Sequence, residues 1–315
     1  MEILIIGKGS IGLRHAKIFK KLGHNVSFFR KNKSNIKTKL VFKEFFDFNL
    51  IRKNFYNLIV ICNPSALHVK YLNKFKNLSD NFLIEKPLCT NLNDLNILKK
   101  ISKIKNIYTG YMMRFDERIK KIKKLCVRQN ELIYAEFKWH TYMPDWHKYE
   151  NFKNSYASKK NLGGGVILTC SHEVDIAIFL FGEARSVFCI KNKNKLDIEV
   201  EDSVSIIIEH KSNIISIVNI DFGNKIFSRQ FYVKHLNKKI EYNYEKQNIY
   251  ETNLKKKKII KIRQKQNIDK IYYNQNKYIQ QNISKHKRVT LSLETEKILI
   301  AALNSIKLKK KIIIN

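Results

Sequence analysis

The chain reads as an α/β protein, with an N-terminal doubly wound parallel sheet of Rossmann type. An α+β domain with a large, mainly antiparallel, open sheet follows. Three observations predict this. Residues 2–29 run strand, glycine turn, helix, strand. Buried-type strands then alternate with helical spacings to about residue 112, which implies a parallel sheet with crossover helices. After Asp116 long strand-like stretches take over.

The first strand is the apolar run from Glu2 to Ile6, and it stops at Gly7. Glycines fall at Gly7, Gly9 and Gly12 (GKGSIG), with Ser10 and Ile11 opening a helix whose spacing runs through His15, Ile18, Phe19 and Leu22 to Gly23. Val26 to Phe29 is the second strand. In this context Gly7 permits a tight turn, Gly9 lets backbone approach a pyrophosphate, and Gly12 allows the helix to pack closely on the strand. The helix N-terminus adds free N–H groups and a partial positive charge, so a dinucleotide is the expected ligand. In an NAD site an acidic residue ends the second strand and takes the ribose 2′-hydroxyl. Here that place holds Arg30, with Lys31, Lys33 and Ser34 behind it and no carboxylate in the stretch. A cationic, hydroxyl-bearing loop suits a 2′-phosphate, so NADP is expected ahead of NAD.

Leu58 to Ile61 is the next buried strand, ending at Cys62-Asn63-Pro64, with a helix from Ser65 to Phe75. Phe82 to Ile84 ends in Glu85-Lys86-Pro87, Asn93 to Ile104 is helical, and Ile107 to Met112 is strand-like. The glycine, Asn63-Pro64 and Glu85-Lys86-Pro87 turns all fall at carboxyl ends of parallel strands, where ligands bind such sheets. A helix at Arg118 to Leu125 then leads to strands at 132–142, 203–210, 214–221 and 227–233, and 291–306 closes as an amphipathic helix. The expected domains are residues 1–115 and 116–315.

At 315 residues the chain can bury one large or two medium cores. It opens directly on a strand, from which no signal peptide is expected, and no apolar stretch reaches membrane-spanning length. Five cysteines lack paired metal spacing and read as reduced cytoplasmic thiols, and no metal site is expected. The net charge of +34 invites nucleic acid, membrane or anionic partners. However, Lys, Asn and Ile are inflated together, as a base-composition bias produces, and the lysines are spread along the chain; the one run, Lys255–Lys258, reads as a turn or edge. Neither nucleic acid nor membrane is expected as a partner.

The Gly7–Gly12 unit followed by Glu85-Lys86-Pro87 resembles the glucose–fructose oxidoreductase and inositol dehydrogenase (Gfo/Idh/MocA) family. Cys62-Asn63-Pro64 with His68, Gly110 to Phe115, Leu162 to Gly165, and His172 to Asp175 match it in order. The segment from Trp139 to Gly182 resembles members found with bacterial surface-sugar biosynthesis. The resemblance implies hydride transfer between a nicotinamide and a carbinol carbon of a sugar or nucleotide sugar. It implies cofactor contacts at Asn63, Pro64, His68, Glu85 and Lys86. Lys86 is its catalytic lysine, steadying the developing alkoxide, with Glu85 to orient it. His172 is its general base, a role that an imidazole's ordinary pKa of about 6.5 suits. Asp175, three residues on, is placed to hold that imidazole. Arg114, Asp145, Trp146, Tyr156 and His172 are expected at the substrate, the arginine for an anionic group and the aromatic rings for a sugar face. Lys159 and Lys160 suit an anionic substrate. One departure stands out: relatives carry an aspartate three or four residues before the histidine, where this chain has Thr169 and Leu168, and Glu173 is the nearest substitute. That leaves a catalytically impaired dinucleotide-binding sensor as the alternative. By analogy a homo-oligomer through the C-terminal sheet is expected.

Overall fold

In the computed structural model, which describes residues 1–31, 40–126, 131–146, 151–253, 255–256, 258–263 and 267–314, the chain forms two compact units. The first is Met1–Met112 with Asn267–Ser292, and the second is Met113–Gln266 with Leu293–Asn315.

The first unit carries a six-stranded parallel sheet: β1 (Glu2–Ile6), β2 (Asn25–Phe29), β3 (Lys43–Phe45), β4 (Leu58–Ile61), β5 (Asn81–Ile84) and β6 (Asn106–Thr109). Its order is β3-β2-β1-β4-β5-β6, so the direction of winding reverses between β1 and β4. Helices α1 (Ser10–Lys21), α2 (His68–Phe75) and α3 (Leu92–Ser102) make the crossovers. All four residues of β4 are buried, as expected of a strand covered on both faces. Ile3, Ile5, Phe19, Phe28, Leu58, Val60 and Leu83 form one core.

A late helix, here α7 (Ile268–Ser284), joins this unit, whereas the sequence places all of 116–315 in one domain. Its anchoring explains why. Ile271, Tyr272 and Ile279 are buried, and Ile279 belongs to the core just named. The Gln275 amide donates to the Thr109 carbonyl oxygen at 2.9 Å, and Asn276 Oδ1 lies 3.1 Å from His15 Nδ1. Asn267 caps its first turn by accepting from Lys270 N.

The second unit holds α4 (Glu117–Leu125), β7 (Leu132–Tyr142), α5 (Val166–Thr169), α6 (His172–Phe181) and α8 (Glu294–Leu308). Its remaining strands are β8 (Ala184–Lys191), β9 (Ser203–His210), β10 (Ile215–Asp221), β11 (Gly223–His235), β12 (Lys238–Asn243), β13 (Asn248–Asn253), β14 (Lys258–Arg263) and β15 (Ile312–Ile313). The nine strands run β14-β13-β12-β11-β7-β10-β9-β8-β15, and β10 with β7 is the parallel pair in an otherwise antiparallel sheet. One face, with Phe137, Val218, Ile220, Phe231 and Val233, is buried by the alternation of strand side chains. Between β7 and α5 the described residues form 3₁₀ turns at Met143–Asp145, Phe152–Asn154, Tyr156–Ser158 and Lys160–Leu162. Among the described residues no single helix is long and apolar enough to cross a membrane; the bent apolar pair Lys160–Thr169 and His172–Phe181 is mostly core, with nine of the ten residues of α6 buried.

Candidate active site

The turn between β1 and α1 is shaped for a dinucleotide. Gly7 has φ +96°, a left-handed conformation that a side chain would strain. A Cβ on Gly12 would lie 2.1 Å from the Gly7 carbonyl oxygen, so only glycine lets α1 approach the turn. Gly9 faces open space, and its side makes no cap to the helix, which leaves the N–H groups of Ser10 and Ile11 to an incoming anion. At the end of β4, across the winding reversal, both the amide nitrogen and oxygen of Asn63 are buried without a partner. An unsatisfied amide in that position fits a ligand that supplies a donor and an acceptor. The residues present therefore fit a dinucleotide.

Arg30 is not a loose cation at the strand end. It is 8% exposed, its Nη1 donates to Glu44 Oε2 at 2.7 Å, and Lys8 Nζ donates to Glu44 Oε1 at 2.5 Å. Burial raises the Glu44 carboxyl, but hydrogen bonds from Lys8 and Arg30 outweigh it and hold the group below the ordinary glutamate range. Lys33 and Ser34 lie outside the described residues.

His68, expected at the cofactor, has another job. Its Nδ1 lies 2.8 Å from the Pro87 carbonyl oxygen and its Nε2 2.8 Å from that of Asn63. With the ring 1% exposed, it ties the Asn63-Pro64 turn to the Lys86-Pro87 turn. Burial pushes its pKa down, against the pull of the two carbonyls.

Glu85 is held from two sides. Its Oε1 is 2.9 Å from His15 Nε2, and its Oε2 accepts from the backbone N–H of Lys86 at 3.3 Å. His15 in turn bonds Asn276, so α1, β5 and α7 are joined through one buried ring. Glu85 thus fixes the backbone at Lys86. Partly buried Cys62 beside it has its thiol pKa pushed well up, by desolvation and by the Glu85 charge, and stays protonated.

In the second unit α6 begins at His172, which is 5% exposed. Asp175, three residues on, is paired with Arg114 and Thr295. Its buried carboxylate receives Arg114 Nε at 3.1 and 3.0 Å and Nη2 at 2.6 Å, and Thr295 Oγ1 at 2.9 Å. Burial raises its pKa, with Arg114 opposing. The same pairing occupies the edge of Arg114 that was expected to grip an anionic substrate. Glu173 receives Arg229 Nε at 2.6 Å, and that guanidinium stacks on Trp139, 4.2 Å from the ring centroid. Trp146 donates to Thr141 Oγ1 at 2.9 Å and packs edge-on against Phe222. Asp145 and Tyr156 are exposed, and Lys159 pairs with Glu199 at 2.7 Å.

Sequence reasoning misses His15, Glu44 and Glu201. Glu201 caps α5, accepting from Ile167 N at 3.2 Å, and a Cβ on Gly165 would lie 2.3 Å from its Oε1. Burial pushes its carboxyl up to about 7. The single available signal is His15, a polar residue on the apolar face of α1.

These features define a dinucleotide-binding protein with a Rossmann unit and a second unit built on a broad sheet. Residues 1–110 match the model for an oxidoreductase family with an NAD-binding Rossmann fold, and residues 131–233 match the GFO/IDH/MocA C-terminal domain. The chain belongs to the Gfo/Idh/MocA oxidoreductase family. Among curated proteins, sequence comparison finds no match. Among solved structures, levoglucosan dehydrogenase in complex with NADH and L-sorbose is similar, at 15% identity and TM-score 0.84 over 100% of this chain and 99% of that one. A putative NADPH-dependent oxidoreductase from Desulfitobacterium hafniense gives 12% and 0.86, covering 99% and 97%. GenD2 from gentamicin A biosynthesis, in complex with NAD, gives 13% and 0.83, covering 100% and 96%. At these identities the likeness is one of fold.

Proposed function

We propose that this protein is an NAD(P)-dependent oxidoreductase acting on the CH–OH group of a sugar or nucleotide sugar. The observation that carries the reading is the cradle of Gly7, Gly9 and Gly12 at the switch point, with the Glu85-Lys86-Pro87 turn at the end of β5. Bound nicotinamide supplies the hydride acceptor or donor. Lys86 steadies the negative charge that develops on the substrate oxygen. His172 takes the hydroxyl proton in oxidation and returns it in reduction. Glu85, held by His15, keeps the Lys86 backbone in place. Asp175, paired with Arg114 and Thr295, braces α6.

Levoglucosan dehydrogenase is seen with NADH and L-sorbose, and GenD2 belongs to the biosynthesis of gentamicin A; both support a sugar-type substrate. A role in surface-polysaccharide assembly, in the cytoplasm and as a homo-oligomer through the second sheet, is the setting we propose. The NADP preference expected at Arg30 supposes a guanidinium open to phosphate, and Glu44 now bears on that point. The test is to follow nicotinamide absorbance with purified protein across a panel of sugars and nucleotide sugars. Sustained turnover on one class supports the enzyme. Saturable cofactor binding with no turnover on any class favours the sensor, which Thr169 in the aspartate's place makes the second reading.

A further inference from the structure

We propose that Glu44, from β3, supplies the carboxylate missing at the end of β2 and makes the cofactor site select NAD(H) over NADP(H). The inference rests on the dinucleotide reading above and deepens it.

Lys8 lies inside the glycine turn after β1, and Arg30 directly follows β2. On a sheet of this order the adenosine ribose of a dinucleotide sits at those two strand ends. Glu44 reaches the same place from the neighbouring strand. Phe28 pairs with Glu44 and Phe29 with Phe45, and Arg30 N donates to the Phe45 carbonyl oxygen at 2.9 Å, so β3 is fixed against the end of β2. The carboxylate is then held by both cations, Lys8 at 2.5 Å and Arg30 at 2.7 Å.

The exposures show which member faces outward. The Lys8 and Arg30 side chains are 9% and 7% exposed, and that of Glu44 is 22%. An arriving ribose therefore meets an anion backed by cations. A carboxylate has about four acceptor positions, so a 2′-hydroxyl can donate to Glu44 while Lys8 and Arg30 keep their bonds. A 2′-phosphate brings a charge of about −1.5 to −2 against the same carboxylate. Discrimination of this kind, in which one ligand satisfies the site and the other leaves charges opposed, is strong.

The experiment is a fluorescence titration of the full chain with NADH and with NADPH, for the wild type and for E44Q. We expect the wild type to bind NADH about tenfold or more tighter than NADPH. In E44Q the charge opposing the phosphate is gone while Lys8 and Arg30 remain, so NADPH should tighten about tenfold and the preference should close or invert. Wild-type protein that favours NADPH, or an E44Q change equal for both cofactors, overturns the proposal and leaves the dinucleotide site standing. Failure of the wild type to bind either cofactor overturns both. If E44Q does not show a cooperative melt, E44S asks the same question, since a hydroxyl can bond ribose but carries no charge.

Discussion

Asp175 illustrates how one side chain serves the fold where spacing points to catalysis. Its carboxylate is 0% exposed and tied to Arg114 and Thr295. The Arg114 side chain is 26% exposed, so the loss of its partner is softened by water. Asp175→Asn should lower stability by about 1–3 kcal/mol in urea unfolding, while cofactor binding is kept. Glu201 gives a pH prediction. Its folded pKa, about 7, lies above the 4.5 of the free side chain, so the folded state holds the proton more tightly. Stability from this group is therefore full below about pH 4.5 and is lost as pH rises towards 7. Glu201→Gln cannot ionise and keeps an oxygen for Ile167 N. It should melt like the wild type near pH 4 and be more stable, by up to about 3 kcal/mol, near pH 8. An equal difference at both pH values would contradict the burial argument. At this scale the glycine turn was legible, because what makes it work is local: a positive φ at Gly7 and no room for a Cβ at Gly12. Glu44 was not, because it reaches Arg30 only through the pairing of β3 with β2.

The elements divide along the same line. Strands β1, β4 and β5 are buried apolar runs between turn residues and could be read directly. β12, β13 and β14 are short and rich in Lys, Asn and Tyr, so their alternation is blurred. α7 was hidden for a different reason: it buries Gln275, Asn276 and Asn282 among its apolar positions, which breaks the hydrophobic period. Its polar contacts to Thr109 and His15 are long-range and leave no trace in spacing. Its apolar anchor is Ile279, 1% exposed in the first unit's core. Ile279→Ala should destabilise that unit by about 2–4 kcal/mol, read as a lower urea midpoint. A change under about 0.5 kcal/mol would mean the helix is not part of that core.

For the whole chain, the +34 charge is the feature most open to misreading. Lysines are dispersed, and several are paired, as in Lys105 with Asp80, Lys120 with Glu117 and Lys211 with Glu183. Such a surface attracts duplex DNA weakly and non-specifically, and salt screens it. No saturable duplex binding is expected at about 0.15 M salt, checked by anisotropy; saturation that survives loss of the glycine turn would reopen the nucleic-acid reading. The chemistry turns on Lys86. The decisive measurement follows nicotinamide absorbance on the best substrate of the sugar panel, with wild type and Lys86→Ala side by side and cofactor affinity measured for both. Lys86→Ala should lose turnover by about 10²-fold or more with cofactor binding nearly unchanged. Turnover by Lys86→Ala at the wild-type rate would contradict it.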